Sequence, residues 1–330
     1  MSNLGFPMLS GKEGYSINSG PQKSVLLRIR PILEQAIATQ QLTLRDPSHR
    51  KSTIKLNRNL DMGNSVLEGE VEVGNAAIRT AAFVTDVQHD KDRGNFDARV
   101  FRIADMGSSC GPNCLANMQF MVEAIRKYER QAASSASAFS STETRMESPQ
   151  VPIHLQAFFC DLPSNDFNTL FLHRQNDYYH LNEDAGCFTA AVAGTVYGRL
   201  FPPLSLHLVF SSCCLHWLSH SPKLVSTQGC TEWNKGKIWV DGPLSNKAAG
   251  KAYAEQWNKD FMAFLKSRYE EMVEGGMMFL IIPCRDDSLP PHQMQRDSCF
   301  RNLEISWQQL TKEVDFDAKS PKNDDIQSTI

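Results

Sequence analysis

Residues 101–113, Phe-Arg-Ile-Ala-Asp-Met-Gly-Ser-Ser-Cys-Gly-Pro-Asn, hold the chain's most informative chemistry. Phe101, Ile103 and Ala104 read as a buried strand that ends on a carboxylate, Asp105. Gly107 and Gly111 mark a turn, and Asn113 opens a helical pattern that runs to about Tyr128. In an open parallel sheet, ligands bind at such strand-to-helix turns, outside the carboxyl ends of the strands. The spacing lacks the three close glycines of a dinucleotide fingerprint and the Gly-Lys-Ser/Thr of a P-loop. The bare residues leave two readings open: a ligand site with an acidic anchor, or an ordinary glycine turn in an α/β protein. A second carboxylate, Asp161, closes the next strand pattern ahead of Leu162 and Pro163. There it could accept hydrogen bonds from a ligand's hydroxyls or cap a turn.

Company narrows the choice. The first segment resembles the Ala-Asp-Leu-Gly-Cys-Ser-Ser-Gly-Pro-Asn signature of the plant SABATH methyltransferases. These use S-adenosylmethionine to methylate small carboxylic acids such as salicylate, benzoate, jasmonate or indole acetate, and in some members xanthine nitrogens. Four further stretches match in the family's order. Gly14-Tyr15-Ser16-Ile17-Asn18-Ser19-Gly20-Pro21-Gln22 is similar to its Ser-Tyr-Ala-x-Asn-Ser-x-x-Gln motif. Asp161 to Asn168 comes next. Gly194 to Pro202 then precedes Ser211 to Ser219, and Asn234-Lys235-Gly236-Lys237-Ile238 is last.

The resemblance implies a set of roles. Asp105 would hold the methionine end of S-adenosylmethionine, Asp161 the ribose hydroxyls, and Leu162 the adenine. Tyr15, Gly107, Ser108, Asn113, Thr195, Val196 and Ser212 would line the same pocket. Gln22, Cys213, His216 and Trp217 would contact the substrate. An amide N–H on Gln22 and an indole N–H on Trp217 can orient a carboxylate without the permanent neutralisation an arginine would bring. Read without the family, Trp217 is a core aromatic and His216 a satisfied core histidine. A carboxylic acid is ionised at neutral pH, so no catalytic base is assigned. Asn234 matches a position that binds Mg²⁺ in some relatives, and Asp315-Phe316-Asp317 is a shortened echo of the other ligands there; the alternative for Asn234 is a surface turn residue.

The chain also departs from the pattern. Met8-Leu9 replaces a Gly-Gly pair, Ser108 a cysteine, Val196 a phenylalanine and Cys213 a tyrosine. The last two imply an enlarged pocket. The expected activity is methyl transfer to the carboxylate of a small aromatic or hormone-like acid. Two rivals stand beside it: N-methylation of a xanthine-like ring, and a catalytically silent binder of the cofactor or a small acid.

Stepping outward, 330 residues are ample for a sizeable core, and a net charge of −3 gives no argument for nucleic acid or membrane partners. Nine cysteines without zinc spacing suit free thiols in a reducing compartment. No signal peptide is read at the start, and the apolar run Met277 to Pro283 is too short to span a bilayer, so a cytoplasmic protein is expected. Relatives are often homodimers, which the resemblance carries over. Helices are expected over Pro21 to Ala38, Asn165 to Gln175 and Ala248 to Met272, and strands over Ile153 to Cys160, Leu206 to Ser211 and Met277 to Ile282. The fold expected is α/β: a Rossmann-like class I methyltransferase sheet, helices on both faces, and a reduced α-helical cap. Residues 1–40 form an N-terminal gating segment and helix, 41–99 a flexible insertion, 100–285 the core, and 286–330 a truncated cap with a disordered tail. Ser/Ala-rich Ala132 to Thr142 reads as a flexible loop.

Overall fold

The computed structural model describes residues 20–45, 65–73, 76–84, 100–139, 153–174, 181, 186–234, 237, 240, 246–283 and 295–313. In chain order the elements are α1 (Gly20–Arg45), β1 (Ser65–Val73), β2 (Ala76–Val84), β3 (Val100–Met106), α2 (Pro112–Phe139), β4 (His154–Asp161) and α3 (Phe167–Arg174). After them come β5 (Cys187–Ala193), β6 (Leu206–Ser212), α4 (Lys223–Ser226), α5 (Lys247–Glu271), β7 (Met272–Pro283) and α6 (Gln295–Glu313).

One sheet runs in the order β1-β2-β7-β6-β3-β4-β5. The five strands from β7 to β5 are parallel, and β1 and β2 extend the β7 edge antiparallel. From β3 the chain steps outward through β4 to β5, then crosses back to β6 and β7 on the other side of β3. The direction of winding therefore reverses between β3 and β6, the place where open α/β sheets bind ligands at the carboxyl ends of their strands.

Helices cover both faces, as the alternation of apolar runs implied. On one face, Ile29 and Leu33 of α1 and Leu115, Met118 and Ile125 of α2 pack on Ile103, Phe159, Phe210 and Phe279. On the other, Phe264 of α5 packs with Ala104, Met106, Val209, Met278 and Leu280. Neighbouring residues of β7 divide between the two layers, as the two-residue period of a strand requires. Pro112 occupies the first position of α2, where its missing N–H costs nothing. Asp166 caps α3 by accepting the Thr169 N–H at 3.0 Å.

Several boundaries differ from the sequence reading. The flexible insertion expected at 41–99 contains β1 and β2, paired antiparallel from Ser65 with Val84 to Val73 with Ala76. Helix α2 continues to Phe139 through part of the Ser/Ala-rich stretch read as a loop, in keeping with alanine's helix propensity. Strand β5 was not expected at all. Helix α6 lies within the segment 286–330 read as a truncated cap. The tail after 313 lies outside the described residues.

Candidate active site

At the end of β3 the chain turns sharply. Gly107 has a φ of 80°, and a Cβ placed there would lie 2.2 Å from the Cys214 sulfur. Glycine is required on both counts: backbone conformation and the approach of the next loop. The N–H groups of Gly107 and Ser108 both reach the Cys160 carbonyl of β4, at 2.8 and 3.1 Å. Ser109 follows in a left-handed conformation, φ 59°, which brings its N–H to Asp161 Oδ2 at 2.6 Å. The Leu162 N–H holds Asp161 Oδ1 at 2.7 Å. Asn165 Nδ2 donates to the Ser109 carbonyl at 3.2 Å and fastens the turn from the far side.

Asp161 is thus fixed by two backbone donors and caps no helix. A carboxylate has about four acceptor directions, so two are used here. Asp105 lies on the adjacent strand and is buried. Burial, then the charge of Asp161, pushes the Asp105 carboxyl well above its usual range. Burial also raises Asp161, and the N–H groups of Ser109 and Leu162 work against that rise.

Two further loops meet this turn at the same edge of the sheet. After β5, the Gly194 N–H donates to the Asp161 carbonyl at 2.8 Å, and Val196 packs with Met106 and Cys160. At the end of β6, Ser211 Oγ donates to the Met106 carbonyl at 2.9 Å, and just past the strand Cys213, φ 52°, donates its N–H to the Ile281 carbonyl at 2.9 Å. The Trp217 N–H reaches the Cys214 carbonyl at 3.0 Å, and its ring lies 5.6 Å from that of His216. Trp217 is 36% exposed, which removes it from the core. The Tyr197 hydroxyl donates to the Trp217 carbonyl and ties the two loops together.

Helix α5 anchors both loops. Arg268, fully buried, donates to the carbonyls of Val196 and Gly198 at 2.8 Å each and pairs with Glu271 at 2.7 Å. Glu271 Oε1 in turn accepts the Leu200 and Phe201 N–H groups, at 2.5 and 3.0 Å. Nearer the helix start, Trp257 Nε1 donates to the Leu215 carbonyl at 2.9 Å, and Asp260 accepts from Ser219. These anchors were not foreseen. Beside the apolar Ala249, Tyr253 and Phe264, the buried residues of α5 include Gln256, Asp260, Ser267, Arg268 and Glu271.

The structure therefore gathers Asp105, Gly107, Ser108, Asp161, Leu162, Val196, Ser212, Cys213, His216 and Trp217 at the carboxyl edge of the sheet. Asn113 is half-buried in the first turn of α2, and Thr195 is exposed on the loop after β5. Tyr15 lies outside the described residues, as does the side chain of Gln22, whose backbone is in the first turn of α1. Asn234 is not a surface residue: it is 1% exposed, with its N–H on the Val225 carbonyl at 3.1 Å. Among the described residues no group of three or more His, Cys, Asp or Glu side chains could hold a metal ion, and Asp315-Phe316-Asp317 lie outside them. Also among the described residues, no helix is long and apolar enough to cross a membrane.

Comparison with known proteins bears on this geometry. A family model described as SAM dependent carboxyl methyltransferase matches residues 74–320, a span that includes β2 and α6 but not the motif from Gly14 to Gln22. Gibberellic acid methyltransferase 2 of Arabidopsis thaliana is 34% identical over 223 residues, 66% of this chain and 53% of its own length. A probable jasmonic acid carboxyl methyltransferase of Theobroma cacao is 35% identical over 217 residues, 64% of this chain and 52% of its own. The chain thus spans about half the length of the curated relatives it matches. A solved structure, loganic acid methyltransferase with SAH, superposes with a TM-score of 0.69 at 25% identity, covering 98% of this chain and 72% of that one.

Proposed function

The chain belongs to the SAM-dependent carboxyl methyltransferases, and from that premise we propose that it methylates the carboxylate of a small, hormone-like acid. The observation that carries the reading is the pair of carboxylates, Asp105 buried and Asp161 half-buried, at neighbouring strand ends beside the winding reversal. S-adenosylmethionine, when bound, supplies a methyl group activated on a cationic sulfur. The donor set suits it. Asp161 keeps two acceptor directions for a ribose diol, Leu162 and Val196 offer apolar contact, and a cation beside Asp105 would offset the burial that raises its carboxyl and so favour the ionised form.

The chain's own part is to bind, orient and exclude water. Trp217, with Gln22, directs N–H donors at the two carboxylate oxygens, while Cys213 and His216 shape the space around the acid. The acid is ionised at neutral pH, so no side chain takes a proton from it. Holding nucleophile and methyl donor in line supplies roughly 7–11 kcal/mol of the barrier. Closure over the acid falls to residues 1–40, which carry Tyr15 and Gln22. Cytoplasmic location and a homodimer complete the reading; no step runs through Mg²⁺.

Calorimetric titration of the chain with S-adenosylhomocysteine is the first test. It is followed by a panel of jasmonic, gibberellic, salicylic and benzoic acids and 3,7-dimethylxanthine with labelled S-adenosylmethionine. Micromolar binding and a methyl ester from one of the acids is the expected result. Binding without turnover favours the silent reading, and a methylated xanthine ring replaces the acid.

A further inference from the structure

Asp260 is buried on α5, outside every motif of the family resemblance, and no step of the proposed transfer uses it. A carboxylate removed from water is costly unless donors meet its oxygens. Three do. Oδ2 accepts the Ser219 N–H at 2.8 Å, and Oδ1 accepts the Ser219 hydroxyl at 2.7 Å and Gln256 Nε2 at 3.0 Å. Gln256 Nε2 also reaches Ser219 Oγ, at 3.3 Å.

Two of the three donors come from one residue, two positions after Trp217. Two positions before Trp217, the Leu215 carbonyl is held by Trp257, which lies three residues before Asp260 on the same helix. The five residues 215–219 are therefore gripped at both ends by a single helix face. Between the grips, Trp217 is 36% exposed and its ring lies 5.6 Å from that of His216 on the same loop, so the core gives it little support beyond the loop itself.

We propose that Asp260 is a positioning residue that fixes the loop carrying Trp217, and so aims its indole N–H at the substrate carboxylate. The inference rests on the carboxylate-holding role given to Trp217 above.

The test uses the full chain labelled with 5-fluorotryptophan, its Trp217 resonance assigned by its loss in Trp217→Phe. Asp260→Asn sets an amide donor against the donors of Ser219. The fluorine signal of Trp217 then shifts or broadens, that of Trp307 on α6 stays, and affinity for S-adenosylhomocysteine holds within about twofold, an acid-side change alone. Ser219→Ala removes one donor at an exposed position and moves the same signal less. With jasmonic acid as methyl acceptor, KM rises about tenfold in Asp260→Asn, as loss of a charged hydrogen bond implies, with kcat little changed. An unmoved Trp217 signal in both variants overturns the proposal. Should Asp260→Asn fail to fold, Ser219→Ala decides alone. A signal that moves while no acid is methylated supports the positioning and overturns the transferase reading instead.

Discussion

Arg268 and Glu271, one turn apart at the end of α5, form a fully buried ion pair whose side chains also hydrogen-bond to the backbone of residues 196–201 and, more weakly, to the Met106 sulfur. The helix stops there and β7 begins at the next residue, so the pair sits at a joint without a linker.

Breaking that pair strands a charge. In Glu271→Gln the Arg268 guanidinium stays buried without its carboxylate, at an expected cost of about 3–5 kcal/mol. Urea unfolding measures it. A loss below about 1 kcal/mol means that the pair does not hold the loop.

Asp105 carries the opposite expectation. Its carboxyl is raised, so the folded chain holds the proton over a pH range where the unfolded chain has released it. Stability from this group therefore falls as pH climbs through that range. Asp105→Asn removes the penalty. The unliganded melting temperature rises by about 2–4 °C for each kcal/mol recovered, while affinity for S-adenosylhomocysteine drops about tenfold or more. Differential scanning and calorimetry check the two halves separately. A lower melting temperature with unchanged affinity would remove Asp105 from the site.

Trp217→Phe keeps a ring and deletes the indole N–H. Its expected effect is a rise of about tenfold in KM for the accepted acid, with cofactor affinity unchanged. Steady-state kinetics at saturating cofactor decide it; an unaltered KM sinks the carboxylate role.

His207 gives a pH signature away from the site. Its Nδ1 accepts the Arg102 N–H at 3.1 Å, and burial together with Arg102 lowers the imidazole to about 4. From pH 6.5 down to about 4 the unfolded chain takes up a proton that the native chain refuses, so stability declines as pH falls. Wild type should lose about 2 kcal/mol more than His207→Gln between pH 7 and pH 4.5, since glutamine keeps an acceptor but does not titrate. Equal losses in urea titrations at the two pH values would show that His207 is not the group responsible.

The parallel centre of the sheet was readable because Ile103, Leu155, Leu208 and Phe279 sit in runs apolar enough to be buried on both faces. Strand β5, Cys-Phe-Thr-Ala-Ala-Val-Ala, was not, because an edge strand half open to solvent shows neither a continuous apolar run nor a clean alternation. The β1–β2 hairpin did leave a signal, Gly74-Asn75 between two nine-residue runs, which the surrounding polar composition outweighed. At the site, Asp105, Asp161 and Trp217 stood in recognisable motifs. Asp260, Arg268 and Glu271 did not: their partners lie about 40 to 70 residues away, and on a helix such side chains read as a solvated face. What marks them is their alignment with Tyr253 and Phe264 along one side of α5.

The hydrogen bond from the Tyr197 hydroxyl to the Trp217 carbonyl joins a loop from β5, at one margin of the sheet, to a loop from β6, on the other side of β3. On the proposed reading, one loop serves the nucleoside and the other the acid. Whatever steadies either loop lowers the ordering cost of the other, and linkage makes the effect mutual. The two ligands should therefore bind with positive cooperativity, each tightening the other by the same factor, and Tyr197→Phe should make them independent.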